Sequence, residues 1–329
     1  MGRTDGIRYG PRPNDLDILF HGKRRISSEI LRVPHEQIWE RPFLMAPLMD
    51  LLGSTIDSDT KLGGEPLVGK EGLKRVLPIG NGFWDWSTKT AVMGMFNLTP
   101  DRFSDGGKFQ SVGAAISQVR SMISEGADMI DIGAQSTRPM ASRISVQQGL
   151  DRLTPVLEAV LGLPEAEGKI VSVDTFYSEG AAEANSENLQ YDNACKQVAS
   201  ELYLKVREAE ILGIPAWRMI IDTGLGFSKN REHNLEVLMG LPNIQAEIGR
   251  KSLALSRAPI LIGPSRKKFL GEVCNRTAAT ERDAATVASV TAAVLGGANI
   301  VRVHNVRDNV DAVKLCDAIL RQRRSIPPS

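Results

Sequence analysis

Two aspartates close short apolar runs, Asp174 in KIVSVD and Asp222 in RMIID, and an Arg-X-His pair, Arg302 and His304, closes a third, ANIVRVH. A buried carboxylate is costly unless a donor meets it, so two of them suit the N–H edge of a guanidine-like heterocycle. Each could equally cap the helix that follows its strand. Arg302 and His304 stand two apart on one strand and therefore face the same side, a good arrangement for clamping an anion. A lone strand histidine is more often a satisfied core residue; the neighbouring arginine on the same face weakens that explanation. The stretch GPSRKK at 263–268 sets Arg266, Lys267 and Lys268 beside another strand end. A solvated basic loop is the ordinary account of such a run, but its place above a sheet argues for function.

Three further segments carry polar chemistry. NLTPDRFSDGGKF at 97–109 follows a strand directly and holds Asn97, Asp101, Phe103, Ser104 and Asp105. Turn formers alone explain a β-to-α connection of this composition, and its length and acids favour a mobile loop. AQSTRP at 134–139 is a second such loop, where Arg138 could meet an anion. Near the start, Asp15 and Asp17 put two carboxylates on one face of a strand, which can hold Mg²⁺ with a nucleotide polyphosphate. An edge strand with solvated acids is the simpler reading there.

These residues need elements to position them. Six apolar runs, at 91–97, 128–133, 169–174, 218–222, 258–265 and 298–304, read as buried parallel strands in βα units. Their ends supply Asn97, Asp131, Asp174, Asp222, Ser265 and the Arg302/His304 pair, and strand C-termini are where such folds keep their sites. Helical signals fill 114–125, 147–161, 192–212, 282–295 and 308–323. The rhythm suggests a barrel or a doubly wound sheet, yet a closed barrel needs eight strands and 175–217 offers none. Residues 1–53 are Pro-punctuated, with a strand expected at 16–20 and a helix at 41–52. Residues 54–88 lack periodicity and read as a linker.

Composition narrows the classes. The chain has 329 residues, 42% of them hydrophobic, and a formal charge of +1, so no broad basic field calls for nucleic acid or a membrane surface. Three scattered cysteines fit a reducing compartment. No run has the apolar length of a membrane span, and no signal or transit pattern opens the chain, which on sequence alone suggests the cytoplasm.

Taken in order, MGMFNLTPDRFSDGGKF, GADMIDIGAQSTRP, VSVDT, IIDTGLGF, ILIGPSRKKFLG and NIVRVHNV resemble dihydropteroate synthase across residues 89–324. Residues 1–53 resemble the C-terminal half of 6-hydroxymethyl-7,8-dihydropterin pyrophosphokinase, and the kinase-then-synthase order is that of bifunctional, plant-like folate enzymes. The resemblance implies an α/β fold, a TIM-barrel-like (β/α)8 synthase domain that is incomplete here, preceded by an α+β ferredoxin-like kinase fragment. It implies displacement of pyrophosphate from dihydropterin pyrophosphate by the amine of 4-aminobenzoate. In that reading Asp174 and Asp222 hold the pterin with Lys267 nearby, while Asn97, Arg302, His304 and Mg²⁺ hold the pyrophosphate. Thr137, Arg138, Pro139, Phe227 and Lys268 shape the aminobenzoate pocket, and the loop with Asp101, Phe103, Ser104 and Asp105 orders over it. In the kinase fragment Asp15 and Asp17 match the metal pair, and His35 and Arg41 match residues near the nucleotide; ATP would serve only a complete kinase.

The family's fourth strand, ending in Asn-Asp, and its fifth, with a Met-His-Met-Arg-Gly pattern, have no counterpart. GAAEAN at 180–185 runs straight into SENLQYDNACKQVASEL. The expectation is therefore an open barrel with little or no turnover, a homo-oligomer or a partner for an intact homologue. By resemblance the compartment is mitochondrial.

Overall fold

The computed structural model describes residues 26–28, 32–33, 76–79, 82–86, 88–98, 108–134, 145–174, 193–252, 255 and 258–325. The chain divides into two units, Met1–Lys74 and Arg75–Ser329. In the first, Ile26–Ser27 (β1) and Arg32–Val33 (β2) form a short antiparallel pair. The strand and helix expected at 16–20 and 41–52 lie outside the described residues.

The second unit opens with an antiparallel hairpin, Val76–Ile79 (β3) and Gly82–Asp85 (β4). This corrects the reading of 54–88 as linker throughout. LPIGNGFWD alternates too briefly to stand out, and Pro78 and Gly82 suggest coil until the pairing is seen.

Six parallel strands follow: Ala91–Asn97 (β5), Met129–Gly133 (β6), Ile170–Asp174 (β7), Ile221–Asp222 (β8), Ile260–Ile262 (β9) and Ile300–Val303 (β10). Their order is β7-β6-β5-β10-β9-β8, so the first and last strands of the domain are neighbours. The helices are Lys108–Ser124 (α1), Val146–Leu161 (α2), Ala194–Ile211 (α3), Arg231–Met239 (α4), Leu241–Lys251 (α5), Lys268–Cys274 (α6), Asp283–Leu295 (α7) and Val306–Ser325 (α8). Three of them, α4, α5 and α6, are absent from the sequence reading; α4 has no clear apolar stripe, α4 and α5 are separated only by Gly240, and α6 is only seven residues long.

Strand alternation sorts every side chain. Ile130, Ile132, Val301 and Val303 point outward into a core shared with α1, α2 and α8, while Ile221, Ile260 and Ile262 join a second outer core with α3, α4 and α5. Ala91, Met93, Met129, Leu261 and Ile300 point inward, with Trp84 of the hairpin, Ile170 and Ile220 packed against them. The inward parity continues up each strand to Asn97, Asp131, Asp174, Asp222, Arg302 and His304. A sequence that fills the lower interior with apolar groups and the upper interior with charge thus defines one polar end.

Candidate functional site

Arg302 organises the polar end. Its Nε donates to Asp131 Oδ2 at 2.7 Å, and its Nη2 lies 2.5 Å from the same oxygen and 3.0 Å from Asp174 Oδ2. Asp131 is buried at 3% exposure, so this pairing is nearly dry, and charge-assisted bonds of this kind are the strong ones. Burial raises the Asp174 carboxyl above its ordinary value; the charge of Arg302 opposes that shift, and the charges of Asp131 and Asp222 add to it. Asp174 and Asp222 stand on opposite edge strands, yet each carboxylate lies in the other's field. The sheet therefore curls far enough to bring its two edges to one site.

Asp222 is exposed to solvent, yet neighbouring protein atoms crowd its carboxylate. That crowding raises its carboxyl, against the Gly224 amide, Lys267, Arg302 and Lys229, which lower it. Its Oδ1 accepts from Gly224 N at 2.8 Å, a local turn rather than a helix cap. The following turn is tied down by residues the sequence reading passed over. Lys229 Nζ donates to Gly224 O at 3.0 Å and Phe227 O at 3.1 Å. Buried Asn234 on α4 accepts from Gly226 N at 2.6 Å and donates to Asn230 O at 2.7 Å. Gly226 has φ +79°, and a Cβ there would fall 2.7 Å from Lys267 Cδ, so glycine is needed both for the turn and for the lysine's path.

The three cations of GPSRKK separate into three roles. Arg266, at φ +59°, makes a bidentate pair with Asp283 of α7 at 2.7 and 2.8 Å and serves as an anchor. Lys267 turns into the site, its Nζ 3.9 Å from the centroid of the Phe227 ring, and burial lowers its ammonium to about 8 despite Asp222 and Asp174, which raise it. The Lys268 side chain is 88% exposed and pairs with Glu272 on its own helix at 3.3 Å. Ser265, buried below the turn, lies with its Oγ 2.8 Å from His304 Nδ1 and accepts from His304 N at 3.1 Å.

Asn97 reaches the site from β5. Its Oδ1 is buried with no hydrogen-bond partner among the described residues, and it occupies space that a Cβ on Gly133 would take, at 2.5 Å. An orphaned amide oxygen is a hard donor suited to Mg²⁺, an ion that binds few protein ligands and keeps water and phosphate oxygens for the rest. Among the described residues no group of three His, Cys, Asp or Glu side chains forms a metal cluster. Asp131, Asp174 and Asp222 crowd this end, so a polyanion arriving here is helped by a cation that accompanies it.

The structure thus brings together Asn97, Asp174, Asp222, Phe227, Lys267, Arg302 and His304. It adds Asp131 and Ser265, which the strand-end pattern marks, and Lys229 and Asn234, which no sequence signal marks. Asp15, Asp17, His35, Arg41, Asp101, Phe103, Ser104, Asp105, Thr137, Arg138 and Pro139 lie outside the described residues. A separate cleft of about 460 Å³ among α3, α4 and α5, lined by Asn193, Lys196, Glu236, Asn243, Glu247 and Arg250, includes none of the strand-end residues.

A parallel half-barrel with carboxylates, a depressed lysine and an Arg-X-His strand gathered at one end defines an α/β protein with a polar site at its strand C-termini. Comparison with known proteins agrees. Residues 93–187 and 181–304 match the pterin binding enzyme family, and residues 1–53 match 7,8-dihydro-6-hydroxymethylpterin-pyrophosphokinase. The folate synthesis bifunctional protein, mitochondrial, of Pisum sativum is 60% identical over 388 aligned positions, covering 99% of this chain and 75% of that protein. Dihydropteroate synthase of Xanthomonas albilineans with 4-aminobenzoic acid superposes with a TM-score of 0.65 at 30% identity, over 78% of this chain and 100% of the other. The same enzyme in complex with 7,8-dihydropteroate gives 0.61 at 29% identity, over 77% and 100%. The chain belongs to the pterin-binding family of dihydropteroate synthases, in the bifunctional form that joins a pyrophosphokinase to the synthase in folate synthesis.

Proposed function

We propose that residues 89–324 bind a dihydropterin diphosphate and 4-aminobenzoate as a dihydropteroate synthase does, and that the open sheet leaves turnover low or absent. The observation that carries the reading is the convergence of Asp174, Asp222, Lys267 and Arg302 from four strand ends onto one cleft. Asp174 and Asp222 accept the N–H groups of the pterin edge, and their raised carboxyls are stabilised as anions by exactly such donors. Lys267 lies over Phe227 beside Asp222, where it donates to the ring system. In the condensation the aminobenzoate nitrogen attacks the pterin methylene carbon, the C–O bond to the diphosphate breaks, and the amine loses a proton. Arg302 retains Nη1, which makes no hydrogen bond to a described residue, to meet charge on the departing diphosphate, and His304 stands two residues along the same face. Asn97 Oδ1 is the oxygen that would hold Mg²⁺, whose chemistry here is neutralisation of charge on the leaving group. By resemblance, Thr137, Arg138 and Pro139 would shape the aminobenzoate pocket and keep water from a carbon that would otherwise be hydrolysed, whereas Lys268 faces solvent and pairs with Glu272.

Support for impaired turnover comes from the chain's length. The pea alignment runs over 388 positions against 329 residues here, so at least 59 positions of that protein face no residue of this chain. The family match breaks into two pieces that overlap at 181–187, between β7 and β8. This is where two βα units are missing from the sequence pattern, along with a pterin-binding Asn. In the segment at 1–53, which matches the pyrophosphokinase family, Asp15 and Asp17 are proposed by resemblance as the metal pair and His35 and Arg41 as neighbours of the nucleotide. Calorimetric titration of the full chain with 7,8-dihydropteroate, alongside a pyrophosphate-release assay, tests the reading: binding without appreciable release is expected. Release at the rate of an intact synthase would sink the impairment, and absence of binding would sink the site.

A second reading is favoured by β7 and β8, each of which pairs on one side only among the described residues: a non-catalytic pterin-binding subunit that pairs with another copy or an intact homologue. Co-purification with such a homologue tests it. The compartment proposed is mitochondrial, as in the pea relative's name.

A further inference from the structure

Ser265 sits on the turn that follows β9, at 5% exposure, in a loop closed by Lys267 N donating to Pro264 O at 3.1 Å. Its Oγ accepts the backbone N–H of His304 at 3.1 Å and lies 2.8 Å from His304 Nδ1. Among the described residues the hydroxyl has no other partner. Were Nδ1 to carry the ring proton, both contacts would donate to Oγ and the hydroxyl proton would be buried with no acceptor, an arrangement that folded proteins avoid. With Oγ–H donating to Nδ1, every group is satisfied: Oγ accepts from the backbone, the lone pair on Nδ1 accepts from Oγ, and the ring proton resides on Nε2.

We propose that Ser265 is a positioning residue that fixes His304 as its Nε2–H tautomer, so that the imidazole meets an incoming diphosphate oxygen as a hydrogen-bond donor and not as a base or a metal ligand. The tautomer follows from this chain's own contacts; the diphosphate as recipient rests on the function proposed above. The geometry is held from two sides. His304 follows directly on β10, which is paired with β5 and β9, and the Ser265 turn is anchored through Arg266 to Asp283 and Thr286 on α7. Ser265 therefore holds the His304 ring through two contacts on a turn that is itself anchored.

The test is a long-range ¹H–¹⁵N correlation spectrum of the labelled full chain, without substrate, at a pH where imidazole is neutral. Four histidines are present, and His304→Gln assigns the relevant signals. A pyridine-type Nδ1 and pyrrole-type Nε2 are expected for His304, retained in Ser265→Thr and lost in Ser265→Ala. Inorganic pyrophosphate, titrated by calorimetry, should bind roughly tenfold more weakly to Ser265→Ala than to the wild type, with Ser265→Thr close to wild type. A pyrrole-type Nδ1 in the wild type overturns the inference, as does Ser265→Ala that keeps the wild-type tautomer. Pyrophosphate affinity unchanged by Ser265→Ala, or absent in the wild type, overturns the donor role. Because the tautomer is read without substrate, a chain that shows Nε2–H and binds no dihydropteroate bears out the tautomer while overturning the pterin site.

Discussion

The two outermost strands of the sheet among the described residues, β7 and β8, end in the same residue type and treat it differently. On β7, Asp174 meets Arg302, which is itself clamped by buried Asp131. On β8, Asp222 meets the Gly224 amide and shares the field of Lys267. The outward faces differ as well: Ile221 is 3% exposed in a core with α3, α4 and α5, whereas Val173 of β7 is 38% exposed. One edge is held by fixed charge and the other by a tight turn and helical packing. Arginine keeps its proton at any ordinary pH and lysine does not, so the contrast separates a permanent clamp from an adjustable one.

The largest expected effect breaks the fixed edge. Arg302→Met leaves Asp131 and Asp174 without their cation and should cost about 3–5 kcal/mol of stability, read as a lower urea midpoint. Adding Asp131→Asn should recover part of that loss; an unchanged midpoint in the single variant would mean that charge pairing does not hold β7. The adjustable edge answers to pH. Between about pH 8 and 10.5 an unfolded lysine still holds its proton while folded Lys267 has shed it, so unfolding takes up a proton and stability climbs with pH across that window. The climb amounts to at most about 3 kcal/mol and should be missing in Lys267→Met, as a difference between the two denaturation series. Asp222→Asn should push the Lys267 ammonium lower still, seen in its side-chain NMR titration, because Asp222 raises it.

Smaller changes sharpen the same contrast. Gly133→Ala puts a methyl 2.5 Å from Asn97 Oδ1 and close to Asp174, and should cost about 1–3 kcal/mol in a thermal melt and weaken dihydropteroate binding. Just beyond β8, buried Thr223 has an Oγ1 without a partner among the described residues. Thr223→Val should stabilise by about 1 kcal/mol, since it removes an unsatisfied hydroxyl at nearly constant volume.

Much of the sheet was legible because a parallel strand buried on both faces must be apolar along its length, and β5 was read to its last residue. Strand ends were legible too, since a charge after such a run has one place to go. Helix α7 was found within a residue of its observed start, whereas α4 was missed because tertiary packing rather than an apolar stripe holds it. The hairpin of β3 and β4 was hidden by its proline and glycines. At the site, the sequence marked Lys267 but could not separate it from Arg266 and Lys268, which differ only in what they face. It also read Arg302 and His304 as a joint anion clamp. What it could not mark is that Arg302 also pairs with Asp131 and Asp174 and that His304 also meets Ser265, partners that lie across the sheet and far along the chain.

The pairing of β5 with β10 bears on how the domain is made. Met93 sits in register with Arg302, 209 positions later. During synthesis the β7-β6-β5 half must wait with one side of β5 bare until the closing residues leave the ribosome. Contacts of such long sequence separation form slowly and leave sticky intermediates. Nascent chains of this protein should therefore depend on chaperones to a degree that the finished fold does not reveal.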